Sequence, residues 1–446
     1  MEFAYTEASL ALQQRLRTFM HERVLPQNAA WERIAATGRF PSEVVEPLKQ
    51  AARAEGLWNL FLPGLRAGEP GTRLSNIEYA PLAEIMGRIP WASEVFNCNA
   101  PDTGNMELLH LFAAPAQASQ WLEPLLDGAI RSCFAMTEPD VASSDATNIR
   151  TTIRRDGDDY VINGRKWFIT GALHPLCRFS IVMGVSDDSP DAPRHARHSM
   201  VIVPLDAKGV RIVRNVAIMN HHTPEGHCEI EYRDVRVPVS SLLGEENAGF
   251  ALAQARLGPG RVHHCMRTIG QCELALDLMC DRALQRQAFG KRLSDFANVQ
   301  DWIGYSRVEI DQARLFVLRA AWVMDVQGNK AAQVDVSAIK LVAAQLQTRV
   351  LDRAIQVFGA MGLTPDTPLA FLWSWGRAFR FFDGPDEVHL RTLARHELSR
   401  VKKEPGAATR YQVPPVEHEA LEIAAMSAAR PPEGARTAVR STEVFQ

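Results

Sequence analysis

Nowhere in the 446 residues do about 18 apolar residues follow one another without interruption, the length a membrane-crossing helix needs. The opening MEFAYTEASL also lacks the basic residues and apolar core of a secretory signal. There is no excess of positive charge: the formal net charge is −3, which gives no electrostatic footprint for nucleic acid. The seven cysteines (Cys98, Cys133, Cys177, Cys228, Cys265, Cys272, Cys280) show no CxxC pair for zinc and no compact disulfide framework, so a reducing, cytoplasmic setting is expected. Neither GxGxxG nor GxxxxGK[ST] occurs, so the usual glycine cradles for dinucleotides and triphosphates are missing and a nucleotide cofactor needs another kind of site. What remains is a chain 46% hydrophobic and 23% charged, enough for two or three globular domains and a small or carrier-bound substrate.

The periodicity divides the chain into blocks. Leu12, Leu16, Phe19, Met20 and Val24 fall at helical spacing up to Pro26, which is expected to stop the helix, and Pro41 opens a second helix toward Trp58. From about Ile153 the period becomes that of strands: Tyr160 to Ile162 and Arg165 to Thr170 flank Asn163-Gly164, a pair suited to a two-residue hairpin turn. Further strands are expected at Phe179 to Val185, Ser199 to Leu205, Val210 to Val216 and Glu229 to Val237. After Gly249 the helical period returns, with a helix through Val299, Trp302, Ser306, Ile310, Ala313, Val317, Ala320 and Met324 behind a cap at Asp295, and another from about Asp335 to Phe358 ending at Gly359. Helices, then strands, then long helices argue for an α+β multi-domain chain: 1–130 helical, 131–245 β, 246–402 helical, and a tail at 403–446 with a short helix near Glu417 to Ala428.

Chemistry concentrates in two places. The segment CFAMTEPDVASSDATN, Cys133 to Asn148, gathers Thr137, Ser143, Ser144 and Thr147 around Glu138 and Asp145; as residue types these also suit turns and caps. In FRFFDGPDEVHL, Asp383 follows Phe379, Phe381 and Phe382, an apolar setting expected to raise its pKa toward that of a general base. Gly384 beside it lets the backbone approach a ligand closely, so that the N–H of the base can donate to a carbonyl. His263 and His264 point to different helix faces with no third ligand at metal spacing, which favours packing or surface roles and no metal site.

TEPDVASSDATN resembles the TEPxxxSD motif of acyl-CoA dehydrogenases, with one extra residue between Pro139 and Asp145. INGRKWFITG, RLGPGRVHHCMRTIG, RQAFGK, AIQVFGAMG and FFDGPDEVHL continue the resemblance in family order over roughly residues 5 to 400, nearest to the branch of the tenth and eleventh human-type members and without their kinase-like domain. The resemblance implies the acyl-CoA dehydrogenase fold: a helical N-terminal domain, a central β domain and a C-terminal four-helix bundle, assembled as a homodimer or homotetramer. It implies FAD between the β domain and the bundle. Phe134, Met136 and Thr137 fall at positions that line the flavin, Phe168 replaces the usual stacked tryptophan one step after Trp167, and Thr170 matches the hydroxyl beside N5. Arg286 and Phe289 match positions that reach the FAD of a neighbouring subunit, and Gln356 and Gly359 match the helix end that closes over its adenosine half.

Asp383 takes the place of the catalytic base, usually glutamate in the family but aspartate in this branch. Another subgroup carries its glutamate where this chain has Gly260. Pro385 and Glu387 replace the usual Thr and Gln near the FAD ribose, and Glu387 remains able to accept a ribose hydroxyl. Arg261 and Gly384 fit positions near the acyl-CoA, and Ser143 or Ser144 meets FAD or CoA. The implied activity is α,β-dehydrogenation of an acyl-CoA to trans-2-enoyl-CoA, on a long, branched or hydroxylated chain, with electrons passing to an electron-transfer flavoprotein. The alternatives are a same-fold flavoprotein oxidase acting on another carbon acid, and a non-catalytic FAD-containing binding protein.

Overall fold

The computed structural model describes residues 5–65 and 67–412, without the side chains of 257–259. Among the described residues, those up to Ala394 form one compact unit and those from Arg395 a second. The first begins with helices α1 (Glu7–Phe19), α2 (Asn28–Ala35), α3 (Ser42–Ala54), α4 (Asn76–Gly87), α5 (Asp102–Phe112), α6 (Pro115–Gln117) and α7 (Glu123–Leu126). Pro26 does not end the first helical stretch: α1 passes into a π-turn at Met20–Val24 and then a 3-10 turn at Leu25–Gln27, and this change of helix type accommodates the proline, which sits in the first turn of the 3-10 segment. Strands follow: β1 (Arg131–Ala135), β2 (Thr152–Asp156), β3 (Asp159–Thr170), β4 (Cys177–Val185), β5 (His198–Pro204), β6 (Val210–Asn215), β7 (His227–Pro238) and β8 (Leu242–Leu243). They form one sheet in the order β6-β7-β3-β2-β4-β5-β8, with β1 parallel to β4. Then come α8 (Gly249–Gln285), a short β9–β10 ribbon (Gln287–Ala288 and Lys291–Arg292), α9 (Ala297–Gln327), α10 (Gln333–Phe358), α11 (Leu369–Phe379) and α12 (Asp386–Lys403). This is the expected succession of helical, β and helical blocks.

The Asn163-Gly164 hairpin is a misreading that the structure corrects. β3 runs straight through both residues, and the reversal lies at Gly157-Asp158, closed by the Asp156–Asp159 pair with Gly157 at φ 65°. Residues 163 and 164 instead mark a register shift against β7, where Asn163 exchanges hydrogen bonds with Asp234. Glycine is needed at 164 because a Cβ there would lie 2.2 Å from Thr151 Oγ1. Asp295 belongs to a 3-10 turn, its carboxylate accepting from Arg292 N–H at 3.1 Å, while α9 starts at Ala297 behind Phe296. The expected helix at 417–428 lies outside the described residues.

Alternation along β4 and β5 gives the sheet two apolar faces. Phe179, Ile181, Met183, Met200 and Ile202 join the core of the helices, while Val182, Val201 and Val203 join Ile162, Ile230 and Tyr232 in a separate β core. The sheet is thereby seated on the helical body, with Phe134 of β1 under Arg256 of α8 and His227 of β7 against Trp375 of α11. Among the described residues no helix is long and apolar enough to cross a membrane, and no cluster of His, Cys, Asp or Glu could hold a metal ion.

Candidate active site

The five residues between Phe379 and Pro385 turn sharply from α11 into α12. Asp383 and Gly384 have φ of 54° and 97°, and a Cβ at 384 would come within 2.9 Å of His389 Nε2, so glycine fits there for both reasons. An aspartate in the left-handed region costs conformational energy, and the surrounding contacts hold it. The Asp383 carbonyl accepts from Arg261 Nε on α8 at 3.0 Å and from His389 Nε2 on α12 at 3.1 Å. Lys340 of α10 donates to the carbonyl of Gly384 at 2.8 Å and also to that of Phe379. Arg380 donates to Asp386 at 2.7 Å. The loop is thus fastened from three helices, and among the described residues no hydrogen bond engages the Asp383 N–H.

The Asp383 carboxylate is 19% exposed, with Oδ2 at 3.5 Å from His264 Nε2. Arg267 donates to His264 Nδ1 at 3.2 Å, which leaves the ring proton on Nε2, directed at the carboxylate. Burial pushes His264 down to about 3, so it faces Asp383 as a neutral donor. Phe382 packs 5.4 Å from His264 and 4.9 Å from Phe379 between ring centroids, and Trp375 lies 5.4 Å from Phe382. Burial does push the Asp383 carboxyl upward, as the apolar sequence around it implies. His264, Arg261, Arg256 and Lys340 outweigh that effect, however, and the group sits below the usual aspartate range. The expectation of a raised pKa is therefore corrected: the His264 ring and the cations Arg261, Arg256 and Lys340, which the fold brings from α8 and α10, are invisible in the local sequence. The position on α8 where another subgroup bears its base, Gly260, has nothing within 4 Å of a built Cβ, so open space adjoins this face of the helix one turn before His264.

The β1 side of the site is held with comparable rigidity. Arg256 lies over the Phe134 ring, 4.0 Å from its centroid, and donates to Asn105 Oδ1 at 2.9 Å; among the described residues it has no ion-pair partner. Lys166, fully buried, donates to Met136 O at 2.8 Å, to Met183 O at 2.7 Å and to Glu138 at 2.9 Å, and Glu138 also accepts the N–H groups of Arg150 and Thr151, both at 2.8 Å. The Thr137 hydroxyl donates to Trp167 O at 2.6 Å, while Trp167 N–H donates to Thr137 O at 3.0 Å. Ser143 accepts from Glu138 N–H at 2.9 Å and folds the loop on itself; Ser144 is exposed. Phe168 sits in a register shift of β3 at φ 53°, the residue 42% exposed. That strained backbone turns a flat apolar face outward beside Trp167, an arrangement suited to stacking a planar ring. Thr170, two residues on, bonds to His227 Nδ1 at 3.0 Å.

The remaining residues named from the sequence stand apart from this cluster. Arg286 is exposed at the end of α8, and Phe289 is 96% exposed at φ 50° on the tight turn of the β9–β10 ribbon. Gln356 and Gly359 are exposed at the end of α10, where Gly359 caps the helix at φ 66°. Pro385 and exposed Glu387 open α12. The sequence missed Arg256, His264, Lys340, His227 and His389. His264 stood in the adjacent pair and was taken as a packing or surface residue; only His263, with both ring nitrogens buried and unpartnered, is such a residue. A polar cavity of about 360 Å³ on the β domain is lined by Glu138, Asp140, Arg150, Arg165, Tyr232 and Arg233 among others, and none of the residues around Asp383 borders it.

The family model described as acyl-CoA dehydrogenase, N-terminal domain, matches residues 6–129; the middle-domain model matches 133–235 and the C-terminal-domain model 247–398. The probable acyl-CoA dehydrogenase FadE2 of Mycobacterium tuberculosis is 54% identical over 413 residues, 92% of this chain and 100% of that protein. Mouse acyl-CoA dehydrogenase family member 10 is 50% identical over 87% of this chain, which spans only 36% of that longer protein. A solved structure of a putative acyl-CoA dehydrogenase from Mycobacterium abscessus superposes with a TM-score of 0.84 at 47% identity, covering 89% of this chain and 100% of that one. PigA, solved with FAD and proline, shares the fold alone, with a TM-score of 0.78 at 22% identity over 90% of this chain and 100% of that one.

Proposed function

The chain belongs to the acyl-CoA dehydrogenase family, and we propose that it oxidises an acyl-CoA to its trans-2-enoyl form with Asp383 as the base and FAD as the electron acceptor. The observation that carries this reading is a carboxylate on a strained, glycine-flanked turn, fastened by Arg261, His389 and Lys340 and walled by Phe379, Phe382 and His264. The exposed Phe168 face, Trp167, Phe134 and Thr170 suit an isoalloxazine ring. When bound, FAD supplies a two-electron acceptor for the hydride that leaves the β-carbon.

The chain's own residues do the rest. Asp383, held below the usual aspartate range by His264, Arg261, Arg256 and Lys340, takes the α-proton in its charged form, and excluding water on substrate binding strengthens it as a base. The uncommitted Asp383 N–H donates to the thioester carbonyl and stabilises the enolate-like charge that develops there. His264 Nε2–H and the Arg261 hold on the backbone keep the carboxylate aimed, which matters more for aspartate than for the longer glutamate. The substrate is a long, branched or hydroxylated acyl chain, and electrons leave through an electron-transfer flavoprotein. Phe289, nearly fully exposed on a strained turn, and Arg286 contact the FAD of a second copy in a homodimer or homotetramer. Gln356, Gly359, Pro385 and Glu387 meet the adenosine and ribose, and Ser143 or Ser144 the pyrophosphate or CoA.

Anaerobic bleaching of the flavin by acyl-CoAs of graded length tests this. Wild type is expected to bleach with at least one chain-length class, and Asp383→Asn to keep its yellow colour and ligand binding while losing reduction by orders of magnitude. Equal bleaching by the variant refutes the assignment of the base. Peroxide formation in air with a non-thioester carbon acid would favour the oxidase reading, and absence of any reduction the non-catalytic one.

A further inference from the structure

His227 stands opposite Thr170 in the β3–β7 ladder, and its Nδ1 lies 3.0 Å from the threonine hydroxyl. His227 is 3% exposed and its ring stacks on Trp375 of α11 at 5.7 Å between centroids and 27° between planes; Trp375 in turn meets Phe382, next to Asp383. His227 therefore joins the sheet side of the site to the loop that carries the base. Its Nε2 has no partner among the described residues, and the ring lines a small cavity with Ile218, Thr223, Phe371 and Ser374. Burial pushes the imidazole down to about 4, so near neutrality it holds one proton that no fixed partner pins to either nitrogen.

The two tautomers have opposite effects on Thr170. With the proton on Nδ1, the ring donates to Oγ1 and leaves the hydroxyl hydrogen free to point elsewhere. With the proton on Nε2, Nδ1 accepts that hydrogen and leaves the oxygen lone pairs available instead. A flavin ring nitrogen accepts hydrogen bonds when oxidised and, once it carries hydrogen, donates them, so a hydroxyl beside it is asked for both directions. We propose that His227 is a positioning residue that sets the direction of the Thr170 hydroxyl toward bound flavin and lets that direction reverse when the flavin is reduced. The inference rests on the reading of Thr170 as a flavin-facing residue.

The test is an anaerobic redox titration of the full-length, FAD-loaded protein against a dye of matched potential, with FAD affinity measured alongside. His227→Phe keeps the ring stacked on Trp375 and removes Nδ1; loss of that one hydrogen-bond partner is expected to shift the flavin–dye equilibrium about tenfold. Thr170→Val is expected to shift it similarly, the double variant no further than either single one, and His227→Asn, which keeps a polar atom near the Nδ1 position, to bring it back toward wild type. If His227→Phe does not accumulate as a yellow protein, His227→Leu takes its place. A shift with Thr170→Val and none with the His227 variants overturns the inference and leaves the reading of Thr170 intact. No shift with Thr170→Val removes that reading and the inference with it. Additive shifts in the double variant, or equal shifts in the Phe and Asn variants, mean that His227 acts only as packing and also overturn the proposal.

Discussion

At the scale of single residues, Asp383 could be proposed as the base from sequence because the demands on such a residue are local: a carboxylate, aromatic neighbours and a glycine, all within FRFFDGPDEVHL. Its supports were not, because Lys340, His264 and Arg256 come from other helices and carry no local mark of their task. Lys340 gives the sharpest test. It is fully buried, burial holds it down at about 8, and its ammonium group donates to two carbonyls that flank the base turn. Lys340→Met fills the same volume but leaves both carbonyls without their donor, a loss of about 1–3 kcal/mol that thermal unfolding of the FAD-loaded protein will register. Because the turn also aims Asp383, reductive bleaching is expected to slow by about tenfold or more with flavin content unchanged. A variant with wild-type bleaching would mean that Arg261 and His389 hold the turn without it.

At the scale of elements, periodicity identified several strands and the helices α9 and α10 within about three residues, yet it misread the junction at Asn163-Gly164 and gave no sign of a helix crossing. Asn163-Gly164 has the composition of a hairpin turn, but its glycine serves the close approach of Thr151 inside a continuous strand. Contact between backbones is a tertiary demand that a list of favoured turn residues does not separate from a reversal. The crossing of α4 and α8 is a second case: a Cβ on Gly270 would lie 2.0 Å from the Glu84 carbonyl oxygen, and one on Gly87 would lie 2.3 Å from that of Arg267. Neither glycine breaks the helical pattern around it, so neither is conspicuous in the sequence. Gly270→Ala must push the two helices apart, and overpacking of this kind costs about 1–3 kcal/mol. Arg267, one turn before Gly270 on α8, orients His264, so the variant is expected to lose stability in denaturant melts and to bleach more slowly as well. Unchanged stability would show that α8 can slide along α4 without strain.

At the scale of the whole molecule, the succession of helical, β and helical blocks follows from the period of the apolar residues alone, whereas the balance of buried ionisable groups depends on which of them the fold encloses. Two sets oppose each other. Burial pushes His227 and His389 down to about 4 and His264 to about 3, from 6.5. Between those values and 6.5 the unfolded chain binds protons that the folded chain refuses, so these histidines make stability rise with pH. Burial pushes Glu107 up to about 8 and Glu225 up to about 7, from 4.5. Between 4.5 and those values the folded chain holds protons that the unfolded chain releases, and stability falls as pH rises. The sets oppose each other from about pH 4.5 to 6.5. From there to about pH 8 the glutamates prevail, until Lys166 and Lys340, held down at about 8 from 10.5 by burial, act against them above it. Below 4.5 the histidines act, joined by Glu94, which Arg131 and His174 hold down at about 2 against the opposing effect of burial. The melting temperature is therefore expected to peak on the acid side of neutral and to decline toward pH 8. Glu107→Gln removes a carboxyl that is charged in the unfolded chain throughout that decline. The variant is expected to flatten the limb from 6.5 to 8 while leaving the acid limb in place, which a series of melts at stepped pH will show; an unchanged upper limb would mean that Glu107 is solvated well enough to ionise freely in the folded protein.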